Sequence, residues 1–406
     1  MRVLLVNAFH WLKGGVERTY LDDSRWLAAA GHEVAHFATR DPRNLPSPTA
    51  EFFAPGADYG EEGSALAQLP QLPRALWSRP AARAMERLLA AFHPDVAHVH
   101  APSRYLTPSV LRPLERAGVP IVHALHDFKP WCTNRILYAH GAPCERCRGG
   151  RHWHAAVTGC VQGSRAKSLV GTAEAYLHDA LGAYRGVRFW IAQSAFVRDK
   201  AVSLGADPGR IRMLPHGVEP VPAPPQAGGW PGRYVLFAGR ISEEKGVRAL
   251  PAIAARIAPV PLVVAGSGPL LGWLEAQRGT GPANLQCAGY FSGEELRSLQ
   301  AHAAVVVSPS LFYETFGYTV AEALLDARPV VASRIGALPE LVEHEVTGLL
   351  APPGDTAAHA EATRRALEDP AAARWGEAGR ERVRRIGDVD AHVRGLLAIY
   401  EEARRG

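Results

Sequence analysis

The chain has 406 residues, 47% of them apolar and 21% charged, with a formal net charge of +5. That length is about two to three times the commonest domain size and calls for two cores, and the composition excludes a disordered or low-complexity protein. No apolar stretch reaches the roughly 20 uninterrupted residues needed to cross a bilayer, and the opening MRVLLVNAFHWLKGG reads as a strand and its loop, not a signal peptide.

In chain order, the first half alternates short β-branched runs with helical patterns: RVLLVNAF, a helix over about 15–30, EVAHFA, a helix over 81–92, DVAHVH and PIVHALH. A helix over 166–182, RFWIAQS, a helix over 194–204 and IRMLPHG follow. A proline- and glycine-dense stretch, 216–232, reads as a linker. The rhythm then restarts with YVLFAGR, PLVVAGSG, NLQCAGYF, AAVVVSPS and PVVASRIG. Alternating strands and helices predict an α/β protein of two Rossmann-like domains, 1–215 and 233–385, facing each other across a cleft. A last helix within 386–406 is expected to pack back on the first domain.

Ligands of open α/β sheets sit at the carboxyl ends of the strands, beside helix N-termini that favour anions. Several residue groups fall at such positions. Gly14 and Gly15 stand between the first strand and its helix, where they admit a phosphate or sugar close to the backbone or merely form a tight turn. Arg240 and Lys245, in FAGRISEEKGV, follow a strand and suit a diphosphate, the first as a fork and the second as a point charge. Gly266, Gly268 and Gly289 end further strands on the same edge.

The segment LFYETFGYTVAEALL places Glu314 in a loop and Glu322 on the helix that Gly317 opens. The pair therefore addresses two parts of an extended ligand, with the Phe316 and Gly317 amides between them. The spacing neither requires nor excludes a glycosidase-type pair of carboxylates. His126, at the end of PIVHALHDF, lies on the cleft-facing edge, and Asp127 either orients it or fixes the turn. Tyr290, Phe291 and Leu296 are placed to frame a nucleotide base.

Of five cysteines, Cys132, Cys144, Cys147 and Cys160 fall within one insert, 128–165. They are too few and too local for a secreted disulfide scaffold, which points to a reducing cytoplasm. The spacing suits a closed structural zinc site, with His140, His152 or His154 as substitute ligands; the alternatives are a metal-free thiol cluster and a redox pair. The Asp388 to Asp390 DVD lies beside the last helix, away from any strand end, and is discounted as a metal clamp. Arg146, Arg148, Arg151, Arg165 and Lys167, and around Trp77 Arg74, Arg79, Arg83 and Arg87, form solvated faces or patches for a membrane surface.

Taken in order, GGVE, GHEV, HPDVAHVH, LHDF, LPHGVE, AGRISEEKG, AGSGP, SPSLFYETFGYTVAEAL and GLLAPPGD resemble a retaining glycosyltransferase of family 4, built on the GT-B fold. The resemblance spans nearly the whole chain. It implies transfer of a hexose from a UDP- or GDP-sugar to a glycan or lipid-linked acceptor. Under it, Arg240 and Lys245 neutralise the donor diphosphate, Glu322 accepts the ribose hydroxyls, and Glu314 holds the donor sugar with help from the Phe316 and Gly317 amides. His126 contacts the transferred sugar, and Gly14 and Gly15 let the first domain close over the phosphates.

The resemblance implies no catalytic metal, so any zinc is structural. The cysteine insert resembles a subgroup of exopolysaccharide and lipid-linked glycan assembly, which implies a cytoplasmic enzyme at the inner face of the plasma membrane. Nucleic acid is not an implied partner. A nucleotide-sugar 2-epimerase or a glycan phosphorylase shares the architecture. A zinc-containing binding module is the reading from another class, and it leaves the second-domain motifs unexplained.

Overall fold

A computed structural model describes residues 1–56, 72–220, 232–291 and 293–405. Most of the expected linker, 221–231, lies outside the described residues.

The first sheet uses β1 (Arg2–Val6), β2 (Glu33–Phe37), β3 (Val96–Val99), β4 (Ile121–Ala124), β7 (Val187–Ala192) and β8 (Ile211–Met213). Between β4 and β7 the cysteine insert forms a small antiparallel hairpin of β5 (Tyr138–Ala139) and β6 (Ala142–Pro143). The second sheet uses β9 (Val235–Ala238), β10 (Leu262–Ala265), β11 (Leu285–Gly289), β12 (Val305–Ser308), β13 (Val330–Ser333) and β14 (Leu349–Ala351). Strand orders are β2-β1-β3-β4-β7-β8 and β11-β10-β9-β12-β13-β14, and every pairing in both six-stranded sheets is parallel. In each, the order reverses beside the first strand of the sheet, which is where such folds open a crevice for ligand.

Both faces of each sheet are buried, which is why the strands read as unbroken apolar runs. Alternation along β1 sends Leu4 and Val6 into one core and Val3 and Leu5 into another. In β9, Leu236 and Val235 divide in the same way.

The last helix, Val389–Arg405, places Leu396, Ile399, Tyr400 and Ala403 on one stripe, spaced at helical period. That stripe completes the core containing Val3 and Leu5, so the helix crosses from the second domain to cover the first sheet. Asp388 of the DVD run accepts a hydrogen bond from the Ala391 amide at 2.6 Å, a cap for this helix.

Strand ends in the second domain approach backbone to backbone. A Cβ on Gly266, whose φ is +151°, would stand 1.9 Å from the Gly239 carbonyl oxygen, so the loops after β9 and β10 can touch only without a side chain there.

Candidate active site

The loop after β9 and the loop after β12 meet at the carboxyl edge of the second sheet. Lys245 Nζ lies 2.6 Å from Glu314 Oε1, which also accepts from the Ser310 hydroxyl at 2.7 Å. The Leu311 amide donates to the Glu244 carbonyl, 2.8 Å, and stitches the two loops together. Arg240 is exposed and has no side-chain partner among the described residues. The Phe316 and Gly317 amides likewise donate to no protein acceptor among the described residues. One lysine fixed by a carboxylate, one free guanidinium and two free amides make a receptive edge for a diphosphate.

Glu322 sits on the helix Tyr318–Leu325, on a different flank from Glu314. Its carboxylate faces Arg18 Nη1 at 3.5 Å and accepts from the Gln300 amide at 3.2 Å. Burial raises its pKa, and Arg18 opposes the rise. The side chain is 17% exposed, enough for a ligand hydroxyl to reach it.

His126 comes from the first domain. Its Nε2 is 3.1 Å from His100 Nδ1, and its ring stacks between His100 and His216, with centroids at 5.3 and 5.5 Å. His216 stacks in turn on Tyr318 of the second domain. Desolvation, with His123 adding repulsion, pulls the His126 pKa down to about 3. The ring is therefore neutral at physiological pH and offers a hydrogen bond, not a charge. Asp127 accepts from the Lys129 amide at 2.9 Å, so it fixes the turn.

Gly14 is extended, with φ −173°, and Gly15 opens the helix, so neither forms the left-handed turn that a glycine pair allows. A Cβ on Gly15 would stand 3.6 Å from the Tyr318 ring. The pair keeps the first-domain loop close to the second domain. The Thr19 and Tyr318 hydroxyls, 2.8 Å apart, join across the same gap.

Several residues at the cleft were not identified from the sequence. Arg18 and Gln300 frame Glu322, Ser310 positions Glu314, and His216 bridges the domains. Glu340 accepts from the Ala195 and Phe196 amides at 2.9 and 2.7 Å, so a second-domain carboxylate caps a first-domain helix. Each is an ordinary polar residue in sequence; Arg18, His216 and Glu340 gain their place from a partner in the other domain, and Gln300 and Ser310 from a neighbour within the second. Tyr290, at the end of β11, is 64% exposed, while Phe291 and Leu296 pack against the second core.

All five cysteines are free. Burial lifts the Cys132 thiol to about 12, with Cys147 and Cys160 adding to the rise, and burial also raises the Cys160 thiol. Among the described residues, the group of three or more potential metal donors within 4.8 Å is not these thiols but Asp23, His98 and His100. The insert also reaches the cleft: Glu145, inside the Cys-x-x-Cys turn, accepts from Lys200 at 2.6 Å and from the Tyr313 hydroxyl at 3.0 Å.

The sequence matches the profile described as Glycosyltransferase Family 4 over residues 13–221, more than half of the chain, and that described as Glycosyl transferases group 1 over 232–369. The chain belongs to glycosyltransferase family 4. This glycosyltransferase is 28% identical over 441 residues to glycogen synthase of Mycobacterium tuberculosis, a match covering 100% of this chain and 96% of that one. It is 32% identical over 209 residues to the phosphatidyl-myo-inositol mannosyltransferase of Mycobacterium leprae, covering 49% and 54% of the two chains.

Among solved structures, sucrose-phosphate synthase of Thermosynechococcus elongatus superposes with a TM-score of 0.71 at 21% identity, covering 99% of this chain and 98% of that one. Anabaena HepE, solved with UDP-glucose, gives 0.69 at 18% identity, covering 99% and 100%. The glycosyltransferase thus has the GT-B architecture of two Rossmann-like domains. Among its described residues, no helix is long and apolar enough to cross a membrane.

Proposed function

We propose that this glycosyltransferase moves a hexosyl group from a UDP- or GDP-sugar to a glycan or lipid-linked acceptor, with retention at the anomeric carbon. The observation that carries the reading is the junction of the two strand-end loops, where Lys245, Glu314, Arg240 and the two free amides converge. The named activities of the relatives, and the UDP-glucose held by the Anabaena structure, support it.

In this reading the bond from the anomeric carbon to the phosphate oxygen breaks and its electron pair leaves with the nucleoside diphosphate. Arg240, Lys245 and the Phe316 and Gly317 amides receive that charge as it develops. The acceptor hydroxyl adds on the same face, and its proton passes to the departing phosphate oxygen. Glu314 orients hydroxyls of the transferred sugar, neutral His126 contacts that sugar from the first domain, and Glu322 accepts from the ribose. Gly14 and Gly15 keep the first-domain loop near the phosphates. None of these steps needs a side-chain acid or base.

A groove on the first domain lined by Trp77, Arg79, Arg83, Arg112 and Arg116 favours an anionic acceptor or a membrane surface, in keeping with lipid-linked glycan or polysaccharide synthesis. The insert places Glu145 against the Tyr313 hydroxyl, beside Glu314, while its four thiols do not stand close enough together to fit a four-cysteine zinc site.

Glu322→Ala tests the donor assignment. Arg18, the partner it strands, is 35% exposed and can turn to water, so the fold should tolerate the change. Losing charged hydrogen bonds to ribose, each about 1.5–3 kcal/mol, is expected to weaken nucleotide-sugar binding by roughly 10- to 100-fold. Titration calorimetry reads this directly, and an unchanged dissociation constant would remove Glu322 from the site.

A further inference from the structure

Beneath the last helix lies a group of side chains that the transfer reaction does not use. Asp23, His98 and His100 are 1, 2 and 1% exposed. One potential ligand atom from each converges, all within 4.8 Å of one another, with His100 Nε2 3.8 Å from Asp23 Oδ2. The Nε2 atoms of His98 and of His100 are both buried without a hydrogen-bond partner. Buried polar atoms are rarely left unsatisfied, so the interior should hold something between them.

The opposite atom of every member is already engaged. His98 Nδ1 bonds the Tyr400 hydroxyl at 2.8 Å, His100 Nδ1 faces His126 Nε2 at 3.1 Å, and Asp23 Oδ1 faces His392 Nε2 at 2.8 Å. His392 is fixed in turn to the Pro215 carbonyl at 2.7 Å. Ligands oriented by outer hydrogen bonds, with their free atoms turned inward, are the pattern of metal centres. Burial keeps both imidazoles neutral, which is the ligating form.

We propose that Asp23, His98 and His100 bind a divalent transition-metal ion, zinc by preference, in a closed site with a trapped water as fourth ligand. Two imidazoles and one carboxylate suit that ion, and tetrahedral ligands at ~2.0–2.2 Å stand about 3.3–3.6 Å apart, so the observed spacing must contract on binding. Tyr400 and His392 belong to the last helix, so the ion fastens that helix to the first sheet. Through His100 it also fixes the ring that carries His126. The proposal does not depend on the identity of the donor or acceptor.

The test is a cobalt(II) titration of the full chain, purified without an affinity tag for metals and stripped by chelator. Cobalt at a four-coordinate N/O site gives well-developed visible ligand-field bands without the near-ultraviolet thiolate charge transfer that the cysteines would produce. One equivalent bound with that spectrum is expected. The signal should vanish in His98→Ala, and the affinity should fall about 10- to 100-fold in Tyr400→Phe, which removes only an outer hydrogen bond. No such band in the wild type, or an unchanged titration in His98→Ala, would overturn the site and leave a buried water as the occupant. If His98→Ala does not fold, Tyr400→Phe decides, and unchanged affinity there counts against the proposal.

Discussion

Replacing Arg240 and Lys245 together by alanine is expected to lower turnover on the order of 10³-fold or more while leaving the chain folded. Arg240 is exposed and unpartnered among the described residues, so its removal disturbs no protein contact. Lys245 is 29% exposed and bonds one carboxylate, which keeps the Ser310 hydroxyl as a donor when the lysine is gone. The loss falls on the leaving diphosphate, whose charge grows as the glycosidic bond breaks. It should therefore appear in kcat for nucleoside diphosphate release as well as in KM, since interactions that strengthen in the transition state set the rate. Wild-type kcat in the double variant would contradict the assignment of both cations.

Gly246→Ala is the second large effect, and it acts through the backbone. Gly246 has φ +72°, and a Cβ there would lie 1.8 Å from the Pro309 carbonyl oxygen. Neither atom is the far end of a flexible side chain, so one loop must move. A left-handed alanine costs about 1–2 kcal/mol by itself, and the overlap brings the total to on the order of 3 kcal/mol. The loops that would separate carry Lys245 and Glu314. Denaturant titration should show the lost stability, and activity should fall even under conditions where the variant remains folded. A variant with both properties unchanged would mean that the two loops are not held in this contact.

The two sheets were legible because parallel strands covered on both faces are β-branched runs with helical segments between them. β14 escaped because Leu349–Ala351 is short and holds no β-branched residue, and the insert's hairpin because its strands have two residues each. The stripe of Leu396, Ile399, Tyr400 and Ala403 has clear helical spacing, but its place against β1 depends on which core lacks a cover.

The candidate site was legible to the level of single domains. Glu314, Lys245 and Arg240 stand at strand ends, and strand ends follow from the pattern. The bond from Lys245 to Glu314 joins residues 69 apart, and nothing local encodes it. Arg18 beside Glu322, Glu340 on the amides of Ala195 and Phe196, and the stack through His216 all require the two domains to have closed. The pairing of Asp23 with His98 and His100 escaped for a similar reason. HPDVAHVH puts two histidines on one face of a strand, but Asp23 reaches them from a helix distant in sequence.

Calorimetric titration of the wild-type protein with nucleoside diphosphates, their sugars and the matching monophosphates asks whether the cleft grips a diphosphate. At least one uridine or guanosine diphosphate species should bind with one equivalent per chain. Its monophosphate should bind about tenfold or more weakly, because Arg240 and Lys245 grip the second phosphate. Absence of binding across the panel, or equal affinity for the monophosphate and diphosphate, would contradict that grip.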